Sequence, residues 1–176
     1  KKEVALSVSD DGYQIAGESY DQVILATGAW LGQILEPLGY QVDVRPQKGQ
    51  LRDYQLDLDT ADYHVVMPEG ELDIIPFQQG KIRMGAPHAN EMGFDLTVDQ
   101  ALLNQMEIES LFYYPELAQA EVVGERVGSR AYTSDFSPFW GAVPDRAGLY
   151  VASGLGSSGL TTGPIIGWHL AQLVVG

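Results

Sequence analysis

The sequence predicts an α+β protein, on two observations. Both ends read as α/β: an apolar strand runs into a helix across residues 22–38, and a second strand leads through a glycine-rich loop into a helix across 149–175. Between them, strand-length segments with turn signals recur roughly every ten residues, the pattern of an antiparallel sheet.

A length of 176 residues is enough to bury a core and leaves room for at most two small lobes. Ten Lys and Arg against 24 Asp and Glu give a net charge of −14, which repels phosphate backbones and anionic membranes. Nucleic acid is therefore not an expected partner, and no apolar run approaches the ~18 residues of a membrane span. Without cysteine there is no thiol nucleophile, disulfide or thiolate metal site, and no metal is expected. The cytoplasm is the default location. The opening residues lack the apolar stretch of a signal peptide, and a strand over 4–8 that starts without an initiator Met points to a piece of a longer protein.

The elements follow in order. Segments 3–8 and 13–15 flank Asp11-Gly12, a hairpin turn signal. The run 22–26 is continuously apolar, as in a strand buried on both faces. Trp30, Leu31, Ile34, Leu35 and Leu38 recur at helical spacing, and Gly39 is the stop. Strands are expected at 42–46, 50–54, 63–67, 73–77 and 81–84, with turns at Glu69-Gly70 and Gln79-Gly80. Thr97 to Gln100 has capping-box spacing and opens an amphipathic helix of about fifteen residues that Pro115 ends. A strand at 121–126 follows. The tail is a strand at 149–153, a glycine loop through Gly163, and a helix at 164–175 with Pro164 in its first turn.

Two segments carry chemistry. Gly154, Gly156, Gly159 and Gly163 let backbone approach a ligand closely in front of a helix N-terminus, an arrangement that equally suits a tight strand-to-helix turn. The spacing of Gly156-Ser157-Ser158-Gly159 is not that of a nucleophile elbow. The histidines His64, His88 and His169 have no evident triad partners, so a serine hydrolase is a weak reading. Arg130, among small residues, suits bidentate pairing with a ligand carboxylate or a salt bridge to one of the many acids.

Six motifs stand in one order: residues 23–30 (Val-Ile-Leu-Ala-Thr-Gly-Ala-Trp), 46–50 (Pro-Gln-Lys-Gly-Gln), Ile74-Ile75-Pro76 followed by Gly80 and Gly85-Ala86, Gly128-x-Arg130, Pro138-x-x-Gly141 and the loop 154–164. Together they resemble the D-amino-acid oxidase (DAO) family of FAD-dependent oxidoreductases, in particular its glycine oxidase and sarcosine oxidase branch. The resemblance covers the whole chain but only the C-terminal half of such enzymes, which begin with a strand and a Gly-x-Gly-x-x-Gly loop of a Rossmann βαβ unit. Gly154 to Gly159 has that spacing but does not substitute for the loop, coming about 150 residues too late and lacking the acidic residue about 20 positions on. It implies a discontinuous flavin-domain portion at 1–44 and 126–176 and an antiparallel substrate-binding domain at 45–125. It also implies FAD contacts at Val4, Gly28, Gly154, Leu155, Gly156, Ser157, Ser158, Gly159, Leu160 and Thr161, with Arg130 holding a substrate carboxylate.

Asp73 stands where relatives place a Tyr, His88 where an apolar side chain is expected, and Phe77 where an Arg is common, so Asp73 and His88 join Arg130 as substrate-binding candidates. The implied function is oxidation of a C–N bond in a small amine or amino acid bearing a carboxylate, by hydride transfer to FAD. The alternatives are a dehydrogenase of the same fold that reduces a carrier other than O2, and a non-catalytic domain. No acid–base catalytic residue is singled out. The isolated chain is expected to be inactive, and its uncovered apolar surface predicts self-association.

Overall fold

The computed structural model describes residues 5–9 and 12–176. In chain order its elements are β1 (Leu6–Ser9), β2 (Gly12–Ile15), β3 (Glu18–Tyr20), β4 (Val23–Leu25), α1 (Leu31–Leu35), β5 (Arg45–Gln55), β6 (Asp73–Pro76), β7 (Lys81–Gly85), α2 (Gln100–Ser110), β8 (Glu121–Tyr132), β9 (Phe139–Ala142), β10 (Leu149–Ser153) and α3 (Gly159–Val175). Short 3-10 turns flank α1 at Gly28–Trp30 and Glu36–Leu38. The chain divides into two compact units, 1–47 with 130–176, and 48–129.

The first unit contains the β1-β2-β3 meander and a three-stranded sheet in the order β4-β10-β9. In that sheet β10 runs parallel to β4 and antiparallel to β9. Parallel pairing of Leu149 with Val23 and Val151 with Leu25 brings the C-terminal ends of both strands to one edge. Val23, Leu25, Leu149 and Val151 point into one core with Tyr13, Leu31, Leu35 and Val143. Ile24 between them is 44% exposed, so β4 is covered on one face and not on both, as its apolar run predicts. Helix α1 itself ends at Leu35, and the 3-10 turn that continues it over Glu36–Leu38 stops at the expected Gly39, in the left-handed conformation (φ 88°).

The second unit is built on the sheet β6-β7-β5-β8, with β7 antiparallel to both neighbours. Arg52, Tyr54 and Leu56 are buried while Leu51, Asp53 and Gln55 between them are half-buried, the period-two pattern of a sheet with one covered face. Leu103 and Met106 of α2 pack on that face against Tyr54, Leu56, Ile74, Ile82 and Met84. Each such side chain contributes about 1.5–3 kcal/mol on burial. Arg52 is 4% exposed on the same face, yet its guanidinium is fully engaged. Nη1 donates to Glu107 at 2.7 Å and Asn104 at 2.9 Å, Nη2 to Gln100 at 2.8 Å, and Nε to Glu125 at 3.0 Å. This cation ties α2 to β8 through β5, and burial together with the Glu107 carboxylate pushes the Tyr54 phenol up.

Several expectations change in the folded chain. A third strand, β3, extends the predicted hairpin, whose turn residues Asp10 and Asp11 lie outside the described set. The two strands expected at 42–46 and 50–54 form the single strand β5, because Lys48-Gly49 keeps extended backbone. The segment 63–67 contributes only an isolated bridge between Val66 and Ile74. Asp99, and not Thr97, caps α2 by accepting from the Leu102 amide at 3.0 Å, and the helix spans eleven residues. Strand β8 continues to Tyr132, so Arg130 lies within it. Helix α3 opens at Gly159, which places Pro164 inside the helix instead of in its first turn.

Candidate active site

Residues brought together in the first unit

The loop after β10 turns sharply into α3. Gly154 has φ 76°, and a Cβ there would lie 2.8 Å from Thr133 Cγ2 and 3.2 Å from the Ser137 carbonyl, so only glycine fits. Gly156 has φ 53°, and its amide donates to the Ala131 carbonyl at 2.7 Å, pinning the loop to the end of β8. Ser158 Oγ donates to the Leu155 carbonyl at 2.8 Å, and the Thr161 and Thr162 amides both donate to the Ser158 carbonyl, starting α3. Ser157 and Leu160 face outward, Leu160 being 97% exposed.

Gly28 sits across the edge at the end of β4 with φ 59°, and its carbonyl accepts from Ser153 Oγ at 2.9 Å. This bond joins residues 125 positions apart, and nothing in the one-dimensional pattern around Ser153 announces it. Gly28, Leu155 and Gly156 line an apolar cavity of about 360 Å³ with Ala26, Ala131, Ala152 and Gly163. Of the cofactor candidates, the fold therefore gathers Gly28 and the loop from Gly154 to Thr161 on one edge; Val4 lies outside the described residues.

Two features of this edge fit a large flat ligand. A Cβ at Gly28 or Gly156 would meet nothing within 4 Å, so both backbones lie open. Thr27 Oγ1 is buried without a hydrogen-bond partner and lines a second cavity of about 520 Å³ with Leu6, Trp30, Gln33 and Ile34. A buried hydroxyl left unpaired costs about 1–3 kcal/mol, which a polar ligand atom would relieve. The open glycine edge and the orphan hydroxyl suit FAD.

Residues of the substrate candidates

Arg130 is half-buried, two positions before the end of β8. In the second unit, Asp73 opens β6 in register with Gly85 of β7 and is half-buried. His88 follows three positions after Gly85. Its backbone amide donates to Glu71 Oε2 at 2.7 Å, and its Nδ1 lies 2.5 Å from the same oxygen. Sequence reasoning missed Glu71, which lies seventeen residues from His88 and is brought to it by the β6–β7 pairing. It missed Thr27 as well, whose burial depends on packing. Phe77 lies over the Arg83 guanidinium at 5.4 Å. Among the described residues, no group of three or more His, Asp or Glu could hold a metal ion, and no helix is long and apolar enough to cross a membrane.

Relatives

The sequence profile of the DAO family, FAD dependent oxidoreductase, matches residues 2–173. The chain is 44% identical over 158 residues to the uncharacterized oxidoreductase YurR of Bacillus subtilis, covering 89% of this chain and 42% of that protein. It is 33% identical over 156 residues to a glycine oxidase of Pseudomonas aeruginosa, with the same two coverages of 89% and 42%. Its fold superimposes on iminodiacetate oxidase from Chelativorans sp. BNC1 with a TM-score of 0.90 at 35% identity, covering 98% of this chain and 48% of that one. The chain thus spans less than half the length of these relatives. The match over nearly every residue, with the α+β architecture of two such oxidases, places the chain in the DAO family of FAD-dependent oxidoreductases.

Proposed function

We propose that this chain is part of an amine or amino-acid oxidoreductase that oxidises the C–N bond of a small carboxylate-bearing amine. The observation that carries this reading is the shared edge of β4 and β10, where Gly28 and, from the loop after β10, Leu155 and Gly156 line an open apolar cavity. On this reading those residues hold the flavin, Thr27 Oγ1 gains a polar partner, and the portions 1–44 and 126–176 serve the cofactor while 45–125 serves the substrate. Bound FAD supplies a two-electron acceptor. Glycine and iminodiacetate, named in two relatives, are both amines with carboxylates, which supports the substrate class.

Arg130 pairs bidentately with the substrate carboxylate and fixes the α-carbon in place, so binding energy is converted into orientation. With FAD held at the glycine edge as the two-electron acceptor, the α C–H fixed by Arg130 would be the bond that gives up its hydride, and the nitrogen, losing a proton to water, would close a C=N bond that water hydrolyses. On the same reading Asp73, half-buried, and His88, exposed and held by Glu71, add polar groups to the substrate-binding portion, and polar groups left unpaired disfavour ligands that cannot meet them. Substrates with a second amine or hydroxyl away from the carboxylate are therefore preferred over glycine.

The test uses the whole flavoprotein that contains this chain, with substrates scored by loss of flavin colour without oxygen. Replacing Arg130 with Met should raise KM for carboxylate substrates about tenfold to a hundredfold with flavin content preserved, the loss expected of one charge-assisted pair. Unchanged KM would make Arg130 a structural ion-pair partner. Asp73→Tyr should shift preference toward glycine; a wild type that already prefers glycine, with no shift in the variant, would remove Asp73 and His88 from specificity.

A further inference from the structure

The segment 48–129 holds five Lys and Arg residues against fifteen Asp and Glu. Lys48 and Arg52 are buried and paired with acids. The other three, Lys81, Arg83 and Arg126, line one cavity of about 730 Å³ on the sheet face opposite α2, in a unit otherwise dominated by negative charge. Asp53 is the only acid in its lining.

Asp53 orients the cations. Its Oδ1 accepts from Arg83 Nε at 2.7 Å, and its Oδ2 accepts from Arg83 Nη2 at 3.3 Å and Arg126 Nη2 at 2.7 Å. The Arg83 bond holds the Asp53 carboxyl below its ordinary range, so it stays charged and keeps both guanidiniums in place. These bonds leave Arg83 Nη1, Arg126 Nε and Nη1, and Lys81 Nζ for another anion. Three cations and one carboxylate leave the cavity with an excess of two positive charges. Its walls also carry Phe77, 45% exposed, and Val123, 54% exposed, an apolar surface beside the donors.

We infer that this cavity binds a small organic carboxylate, its acid group on Arg126 and Lys81 and its apolar body against Phe77 and Val123. Planar, pre-oriented guanidiniums match a carboxylate better than lone ammonium groups do. The site includes none of Arg130, Asp73, His88 or the glycine loop, and it stands independently of the flavin reading.

The experiment titrates the isotope-labelled chain, without flavin, with phenylacetate, following the Nε–Hε resonances of Arg83 and Arg126 by NMR. Phenylacetate should shift both saturably, and the neutral phenylacetamide should shift neither. Arg126→Gln should weaken binding about tenfold and Lys81→Gln about threefold, since one charge-assisted donor set is lost in each. Arg130→Met should leave it unchanged. Should Arg126→Gln fail to fold by circular dichroism, the wild-type titration and Lys81→Gln decide. Absence of a saturable shift, equal binding of the amide, unchanged affinity in the folded variants, or loss only in Arg130→Met would each overturn the inference.

Discussion

At the scale of single residues, Gly28 and Gly154 of the candidate flavin edge differ in a way that a melting experiment resolves. Both have positive φ, which costs an L-residue roughly 1–2 kcal/mol. At Gly28 that is the whole cost of Ala, because the added Cβ meets nothing within 4 Å. At Gly154 the Cβ would sit 2.8 Å from Thr133 Cγ2, and overpacking adds about 1–3 kcal/mol. Thermal unfolding should therefore place Gly154→Ala well below Gly28→Ala; equal melting temperatures would show that the loop after β10 relaxes freely. The glycine-rich character of this loop is legible in the sequence. The distinction between a glycine needed for its dihedral and one needed for space is not, because the crowding atoms of Thr133 and Ser137 lie some twenty residues away.

At the scale of elements, the sheet of the second unit is laced across its open face by Asp53 of β5, which bonds to Arg83 of β7 and Arg126 of β8. The Asp53 carboxyl is held below its ordinary range first by the hydrogen bond from Arg83, against the opposing effect of burial. A folded-state pKa below the unfolded one means the stabilisation is present above about pH 4 and is lost as pH falls further toward the folded value. Asp53→Asn should be less stable at neutral pH by about 1.5–3 kcal/mol, the usual worth of hydrogen bonds to a charged group. Its melting temperature should also fall less steeply than wild type below about pH 4. Parallel pH profiles for the two proteins would remove Asp53 as the lace. Alternation along β5 announces that Asp53 and Arg52 face opposite sides, yet their partners are chosen by cross-strand register and by α2, which only folding sets. The same holds for α2 itself: its existence follows from apolar spacing, while its start moved to Asp99 because that side chain reaches the Leu102 amide.

At the scale of the molecule, α3 buries Ile166 and Leu170 but leaves Leu160, Ile165, Trp168, Leu173 and Val175 exposed, and Ile24 and Trp140 of the adjoining sheet are exposed as well. Apolar patches of this kind drive association. The chain on its own should sediment as concentration-dependent oligomers, and Ile165→Lys with Trp168→Lys should shift it toward monomer; a wild type that stays monomeric at every concentration would count against this. The order of residues alone dictates the α+β class, the strand, glycine loop and helix at the C-terminal end, and the family to which six spaced motifs belong. These are local or periodic properties: backbone freedom at glycine, alternation along strands, and apolar spacing along helices. Folding alone decides which distant groups meet. It sets Ser153 against the Gly28 carbonyl, pairs His88 with Glu71, buries Thr27 Oγ1 without a partner, and gathers Lys81, Arg83 and Arg126 around Asp53. Each of these contacts depends on strand register and packing between segments far apart in sequence, and such long-range pairings leave no periodic trace in the sequence.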